Sequence, residues 1–384
     1  MNINTQPLTN NPLTNRVQDV LTNLYRQLPT FSMTQLMMFV MIVILILLII
    51  SFIQSRLSLR KSECAALKKV YSDFPAISSV STKHYEHPLR DYYIKTAYNC
   101  CAPGNMKNSF VDLCALKTVI QQGARCLDFE IYSVNNEPVI ATSSEDEYTI
   151  KESYNSIPFA EAMKTVGDYA FSGSSCPNPN DPLILHFRVK SNNKKIYEDM
   201  AKAIYQYLEQ YSLGKDYSYE YGGKNIGTLP LKTFLGKIII SVDKSNPLFQ
   251  QTDLDEYVNI GSNSVFMRAL RYKDVAYTHD MNELVEYNKK NMTIVLPDIQ
   301  ANDANPSASL AMKYGCQMVG MSFQNFDNNM EFYDLFFDND GYAFVLKPES
   351  LRYVPVTIEA PSPPPKQYSY EPRVKKTDYY NFTI

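Results

Sequence analysis

Histidine is the side chain best suited to moving protons near neutral pH, and this chain has four of them. His186 lies in the apolar run PLILHFRV, two residues before Arg188. Because side chains alternate across a strand, His186 and Arg188 should point to the same face of a sheet. His186 is therefore a candidate displaced base, and a hydrogen-bonded core histidine is the alternative. His279, which follows the run DVAYT, is a second candidate.

Cysteine is the other reactive residue type, and its spacing carries little signal. The seven cysteines are scattered, without the C-x-x-C pairs of a zinc site. The adjacent Cys100 and Cys101 could bond each other only under strain. The sequence therefore predicts neither a metal site nor a full disulfide framework of cysteines, and it favours a reducing compartment.

The overall charge excludes one class of partner. The 384 residues include 37 basic and 40 acidic side chains, which gives a net charge of -3 at pH 7. Domains that bind nucleic acid usually present a strongly basic surface, so we expect no nucleic-acid partner. With 45 % hydrophobic residues, the chain can bury a substantial core in one large domain or two ordinary ones.

One segment is long and apolar enough to cross a membrane. Residues 36–53 read LMMFVMIVILILLIISFI, with no charge and with Ser51 as the single polar residue. This length suits a hydrocarbon core of ~30 Å, so we predict a transmembrane helix over 33–54. A cleaved signal peptide would have a shorter apolar region, and a buried core helix would keep a polar face. A flexible arm (1–32) should precede this helix and a basic, helical juxtamembrane segment (55–84) should follow it.

Basic residues on the two sides of this segment predict its orientation. Arg16 and Arg26 precede it, and five basic residues follow it closely: Arg56, Arg60, Lys61, Lys68 and Lys69. The positive-inside bias places the large C-terminal part in the cytoplasm, or on the interior side of a virion membrane. The same five residues could also bind anionic lipid, with a pure topology signal as the alternative.

Between this segment and the C-terminal tail, short apolar runs alternate with helical stretches. We predict eight strands, at 93–98, 125–132, 138–142, 182–189, 237–242, 274–278, 293–297 and 317–323. Strand alternating with helix over such a length predicts an α/β fold of the distorted TIM (β/α)8 type. A doubly wound open sheet is the alternative, although no glycine-rich dinucleotide loop supports it. A proline-rich tail should occupy 356–384.

Several of these runs carry a family resemblance. The stretches HPLRDYYIKTAYNCC, GARCLDFEIYSVNNEPVIATS and DPLILHFRV resemble the X half of the phosphoinositide-specific phospholipase C barrel. The motifs GCQMV, SFQ and LFFDNDGYAFVLKP resemble its Y half. The resemblance implies an X-like half over 85–210, a linker over 211–230 and a Y-like half over 231–355. It also implies a reaction in which an inositol hydroxyl attacks the neighbouring phosphorus, assisted by histidines and calcium.

The positions that carry this chemistry in the family hold other residues here. Tyr98 and Thr142 occupy the two histidine positions, and neither titrates like histidine near pH 7. Asn99, Asp128 and Glu130 match calcium ligands, which makes them a vestigial metal site. The next ligand position is Arg188, a permanently charged guanidinium that cannot coordinate a cation.

The headgroup-binding positions are changed as well. Ser241 and Asp243 stand where the family has two lysines that hold ring phosphates. Ile294 replaces an arginine that binds phosphate, and Leu296 replaces a tyrosine that stacks on the inositol ring. Apolar side chains offer no bidentate contact to a phosphate. Phosphate binding and ring stacking are therefore expected to be degraded together.

These replacements predict a membrane-anchored, catalytically inactive relative that acts as an interaction or structural module with an unidentified protein partner. No cofactor is expected, and Ca²⁺ would bind only if the vestigial site still functions. Residual phosphodiesterase activity with rearranged groups is one alternative, and inositol-lipid binding without turnover is another. The residue composition and the compact architecture suggest a large DNA virus as the source and a virion membrane as the location.

Overall fold

The structure is a computed structural model, and it describes residues 32–80, 85–145, 149–299, 304–355, 362 and 370–384. The predicted N-terminal arm therefore lies outside the described residues, except for Ser32. The proline run that begins the predicted tail also lies outside them, except for Ser362.

The first described element is a single long helix, α1 (Met33–Val70), of 38 residues. It begins at a capping box in which the Ser32 side chain accepts from the Gln35 backbone and the Gln35 side chain accepts from the Ser32 backbone. At 1.5 Å per residue it is about 57 Å long. Its apolar half is exposed on every side, and α1 is the one described helix that is long and apolar enough to span a membrane.

The strands of the main sheet are numbered in chain order. They are β1 (Tyr92–Ala97), β2 (Cys126–Val134), β3 (Glu137–Ile140), β4 (Ile157–Pro158), β5 (Leu183–Val189), β6 (Ile238–Asp243), β7 (Ile260–Ser262), β8 (Met267–Arg271), β9 (Met292–Leu296), β10 (Met318–Met321) and β11 (Phe344–Leu346). Eight of them pair in parallel in the order β7-β6-β5-β2-β1-β10-β9-β8. This nearly closed barrel, with a gap between β7 and β8, confirms the predicted TIM-type fold. We call the end at which its strands finish the mouth.

Helices surround the barrel. They are α2 (Leu113–Gln121), α3 (Phe159–Tyr169), α4 (Lys194–Leu208), α5 (Ser218–Gly223), α6 (Tyr272–Ala276), α7 (Met281–Lys290), α8 (Ala308–Lys313) and α9 (Asn328–Asp340). The apolar core fills the layer between helices and strands: Phe187 of β5, for example, packs edge-on against Phe159 of α3 with ring centroids 5.3 Å apart. Short 3-10 turns complete many connections.

Two of the eight predicted strands are wrong as barrel strands. The run 138–142 forms β3, which pairs antiparallel with β2 and then with β4 outside the barrel. The run 274–278 lies largely in helix α6, because the Asp274 carboxylate accepts from the Arg271 backbone N–H and caps that helix. The barrel uses β7 and β8 instead. Within the predicted tail, Val374–Lys376 and Asn381–Thr383 pair as a two-stranded hairpin.

Two cysteines form a disulfide that the sequence did not predict. Cys64 of α1 and Cys114 of α2 are bonded, with their Cα atoms 6.0 Å apart. The other five cysteines are free and buried. A single bond is no disulfide framework, but it weighs against the predicted reducing compartment because disulfides persist mainly in oxidising ones.

Candidate functional site inside the barrel

Strands β2 and β5 bring four ionisable side chains together in the barrel interior. Their register places Asp128 beside His186 and Glu130 beside Arg188. None of these residues is more than 2 % exposed. Charges at that depth must be paired, because transfer of an unpaired ion out of water is costly. The pairing therefore defines what this interior can do.

Arg188 is at the centre of the cluster. Its Nε and Nη2 donate to the two carboxylate oxygens of Asp128 at 3.0 and 2.9 Å, and Nη2 also donates to Asn99 Oδ1 at 2.8 Å. Glu130 Oε2 lies 3.6 Å from Nη2. The guanidinium carbon is 4.9 Å from the centroid of the Tyr98 ring, which adds a cation–π contact. One guanidinium thus lies among all three oxygen-bearing side chains.

The electrostatic balance holds Asp128 ionised. Burial alone would raise the pKa of Asp128, but the Arg188 charge and the hydrogen bond from His186 outweigh it and lower that pKa well below the ordinary value. Burial opposes the charge of Arg188, yet the two carboxylates raise its pKa further above the ordinary value. The bidentate geometry is the strong form of this pair.

Glu130 and Asn99 complete the cluster. Glu130 Oε1 accepts from the Tyr132 hydroxyl at 2.7 Å, and Oε2 accepts from Asn99 Nδ2 at 3.3 Å. Asn99 has a φ of 42°, in the left-handed region that asparagine tolerates better than most residues. That backbone turns its amide back into the barrel, so Asn99 bridges Glu130 and Arg188.

His186 connects the cluster to strand β7. Its Nδ1 is 2.7 Å from Asp128 Oδ1, and its Nε2 is 2.8 Å from the Ser262 hydroxyl. The order of groups resembles that of a nucleophile, a base and an orienting acid. However, all three side chains are fully buried, and the Asp128 carboxylate is already neutralised by Arg188. The arrangement fits a hydrogen-bonded interior layer, which is the alternative that the sequence left open for His186.

The cluster ends below a cavity of about 280 Å³ at the mouth. Its charged lining residues are Arg188, Lys190, Asp243, Arg271 and Asp274. Asp243 accepts from the Ser245 backbone and from Asn263 Nδ2, and these hydrogen bonds lower its pKa although burial alone would raise it. Cations and anions are mixed at the mouth, with three basic side chains among the five.

Two family models match this chain. The phosphatidylinositol-specific phospholipase C X domain matches residues 85–244, and the Y domain of the same family matches residues 249–350. The chain belongs to the phosphatidylinositol-specific phospholipase C family. The X match extends through the segment 211–230 that we predicted as a linker, so that boundary stays a prediction.

Individual relatives agree with this membership and show how divergent the chain is. It is 23 % identical over 345 residues to 1-phosphatidylinositol 4,5-bisphosphate phosphodiesterase zeta-1 of Homo sapiens, covering 77 % of this chain and 53 % of that protein. The chain thus spans about half the length of the curated relatives it matches. Among solved structures, PLC21 of L. pealei (TM-score 0.57, 19 % identity) covers 70 % of this chain and 38 % of its own, and PLC21 of S. officinalis (TM-score 0.58, 18 % identity) covers 73 % and 39 %. These two show the fold.

Tyr98 and Thr142, which the sequence predicted at the two histidine positions of this phospholipase family, both make contacts inside the protein. Tyr98 is 7 % exposed and packs on Arg188, and burial raises its pKa above the ordinary value. Thr142 is 2 % exposed, and its hydroxyl donates to the Met106 carbonyl at 2.7 Å. Neither side chain is available to carry a proton at neutral pH.

The residues that the sequence predicted as a vestigial calcium site do not fit a calcium ion in this arrangement. Calcium requires six to eight oxygen ligands. Here both oxygens of Asp128 and the side-chain oxygen of Asn99 accept hydrogen bonds from the Arg188 guanidinium. One oxygen of Glu130 accepts from Tyr132. The guanidinium occupies the position at which these oxygens converge, and its charge would repel a divalent cation.

The four residues that the sequence predicted at headgroup-binding positions lie in β6 and β9, and they offer little to a phosphate. Ile294 and Leu296 are buried, and Leu296 lines the mouth cavity. Ser241 is also buried, with its hydroxyl 3.6 Å from the Met267 sulfur. Asp243 presents a carboxylate at the mouth.

The sequence missed three residues of the site. Lys190 follows Arg188 by two positions, so strand alternation could have placed it at the mouth. Ser262 and Arg271 lie at the ends of β7 and β8, the two strands that were not predicted. His279 is exposed between α6 and α7 and is absent from the lining of the mouth cavity, so the structure does not bring it into the site.

Proposed function

We propose that this chain is a membrane-anchored phospholipase C barrel without phospholipase activity, and that it serves as an interaction or assembly module for another protein. The observation that carries the proposal is the Arg188 guanidinium among Asn99, Asp128 and Glu130. A virion membrane remains our suggested location.

The physical reason is that two requirements of the reaction fail together. Loss of one acid–base group typically lowers a rate by ~10²- to 10⁴-fold, and Tyr98 and Thr142 replace two such groups. Arg188 neutralises the buried carboxylates, but a guanidinium cannot coordinate the phosphorane oxygens as a metal ion would. It is also fixed by Asp128, so it is not free to follow the reacting phosphorus.

The test is a phospholipase assay of the full chain in detergent. We expect no calcium-dependent release of inositol phosphate from phosphatidylinositol or its 4,5-bisphosphate above the level of a denatured sample. Calcium-dependent turnover that disappears in Glu130→Gln and survives in the surface variant Lys194→Gln would overturn the proposal. That result would support the alternative of a residual phosphodiesterase.

A second candidate function is the binding of inositol lipid without turnover. The observation that favours it is the mouth cavity, where Arg188, Lys190 and Arg271 remain although the family positions have lost their cations. Flotation of the full chain with vesicles does not discriminate, since α1 itself should insert. A protection experiment discriminates. If the mouth binds soluble inositol phosphates, they should protect Lys190 from acylation, and equal acylation with and without them removes this candidate.

For the membrane anchor we propose that α1 spans the bilayer over 33–54 with the barrel on the cytoplasmic side. The basic residues that follow the span support this orientation. The disulfide between Cys64 and Cys114 opposes it, because such bonds are rare in the cytosol. Protease treatment of sealed microsomes tests the orientation of the barrel. Digestion of the barrel supports the cytoplasmic placement, and protection of the barrel overturns it.

A further inference from the structure

We infer that helix α1 fixes the barrel with its mouth facing the membrane, and that the Cys64–Cys114 disulfide locks this orientation. The inference rests on the proposed membrane span, and it concerns how the barrel is held rather than whether the chain is anchored. The partner of the mouth is then the headgroup layer of the same bilayer.

The first observation is that α1 is continuous from the apolar span into the barrel. It has no break between Met33 and Val70. Arg60, which pairs with Asp112, lies six positions after residue 54, the predicted end of the span. In a helix this separation is about 9 Å. A connection so short and regular cannot act as a free tether, so the barrel must follow the direction of α1.

The second observation is where α1 first touches the barrel. Arg60 pairs with Asp112, and both carboxylate oxygens of Glu63 accept from the Ser109 hydroxyl. Cys64 bonds Cys114. All three partners lie in or just after the connection from the end of β1 to the start of α2. That connection is on the mouth side, since β1 ends there.

The third observation is the direction in which the chain continues. Tyr71 still contacts the mouth side, donating to the Phe323 carbonyl at 3.1 Å just after β10. Beyond it, the Asp73 carbonyl accepts from Gln122 at the far end of α2, and the Val80 N–H donates to Asp181, two residues before β5 begins. The chain therefore runs from the mouth to the opposite end, which places the membrane-spanning part of α1 beyond the mouth.

The mouth rim has side chains that suit a lipid headgroup layer. The mouth rim comprises Lys107, Ile150, Lys151 and Phe326. Ile150 is 75 % exposed and Phe326 is 48 % exposed. The loop that holds Ile150 is attached to the mouth by the ion pair between Lys107 and Glu152. Exposed apolar side chains suit the boundary of a headgroup layer. The same loop also carries the acidic residues Glu145, Asp146, Glu147 and Glu152, so the apolar side chains, and not a net positive charge, carry this observation.

The experiment compares two reporter positions in the full chain reconstituted into vesicles that contain a nitroxide-labelled headgroup lipid. A fluorophore is attached to Ile150→Cys on the mouth rim or to Lys313→Cys at the opposite end of the barrel. The five free native cysteines are buried and should not label. We expect several-fold stronger quenching at position 150 than at position 313. Equal quenching, or stronger quenching at 313, overturns the inferred orientation.

Flotation of the same vesicles at alkaline pH separates this inference from the proposed anchor. A chain that floats but shows equal quenching contradicts only the orientation, whereas a chain that does not float contradicts the membrane span itself. The lock is tested in the double variant Cys64→Ser, Cys114→Ser. If the variant still floats but the ratio of quenching at position 150 to quenching at position 313 is smaller, the disulfide has a locking role. An unchanged ratio overturns that role.

Discussion

Replacement of Arg188 by methionine tests the electrostatic role of the interior cluster. The substitution removes the cation but keeps an unbranched side chain of similar reach. It leaves the Asp128 carboxylate at 0 % exposure and Glu130 at 2 % without their countercharge. Breaking a buried ion pair by removing one partner costs roughly 3–5 kcal/mol. The expected loss of stability is therefore a large part of the total for an ordinary domain.

The same substitution should change the pH dependence of stability. In the parent chain the pKa of Asp128 is lowered, mainly because the Arg188 charge overcomes the effect of burial. Without Arg188, burial raises the folded-state pKa of Asp128 toward or above its unfolded value of ~3.9. Because the folded-state pKa is lowered in the parent and higher in the variant, the parent gains more stability than the variant as the pH rises through the range in which Asp128 ionises. Its deficit relative to the parent should be larger at pH 8 than at pH 4.

Thermal unfolding of the full chain in detergent measures both effects. With ~2–4 °C lost per kcal/mol in a domain of this size, the midpoint should fall by roughly 6–20 °C at pH 8. Lys194→Met, which removes an exposed cation, is the matched control and should leave the midpoint nearly unchanged. Adding Asp128→Asn to Arg188→Met should recover part of the loss. If Arg188→Met unfolds within about 1 °C of the control at both pH values, the reasoning about the cluster is refuted.

Three further predictions follow from other parts of the structure. Arg188→Glu places a carboxylate at the position that the sequence predicted as a family ligand position, so calcium should raise its unfolding midpoint while leaving that of the parent unchanged, as measured with calcium and with a chelator. Burial raises the pKa of Asp181 to about 6, so between pH ~4 and 6 the folded state holds more protons than the unfolded state. The free energy of unfolding should therefore fall by up to about 3 kcal/mol as the pH rises across that range. Asp181→Asn should reduce this pH dependence in denaturant titrations. Replacing Cys64 and Cys114 by serine opens a loop of 50 residues and should cost about 4 kcal/mol by chain entropy, and no loss under non-reducing conditions would contradict the disulfide.

Most of the barrel could be predicted because long buried strands have a strong sequence pattern. LILHFRV in β5 is a run of seven buried residues with a clear boundary at each end. β7 has only three residues, Ile260–Ser262. β8 reads MRALR, and its two arginines interrupt the apolar run that would predict a buried strand. The run DVAYT looks like a strand until Asp274 is seen to cap helix α6. The number of predicted barrel strands was right, but two of their positions were not.

The residues of the candidate site were likewise predictable only where they lie on strands that the sequence predicted. Strand alternation predicted that His186 and Arg188 share a face, and the register of β2 with β5 brings them beside Asp128 and Glu130. Ser262 could not be placed, since it belongs to the short β7. The disulfide was beyond sequence reasoning because Cys64 and Cys114 are 50 residues apart and meet only when α1 packs on α2.

The persistence of Asp128 and Glu130 has a physical explanation that does not require catalysis. Two carboxylates at this depth need a cation, whichever cation it is. The resemblance to the family implies a bound calcium ion as the usual countercharge, and such an ion can dissociate. Arg188 supplies the charge from within the chain, is held by three hydrogen bonds to Asp128 and Asn99, and cannot leave. On the proposed function, a barrel balanced in this way would fold independently of calcium and would lack the catalytic contribution of an exchangeable metal. A scaffold used for assembly at a membrane would gain a constant shape from this substitution, whereas a phospholipase would lose its chemistry.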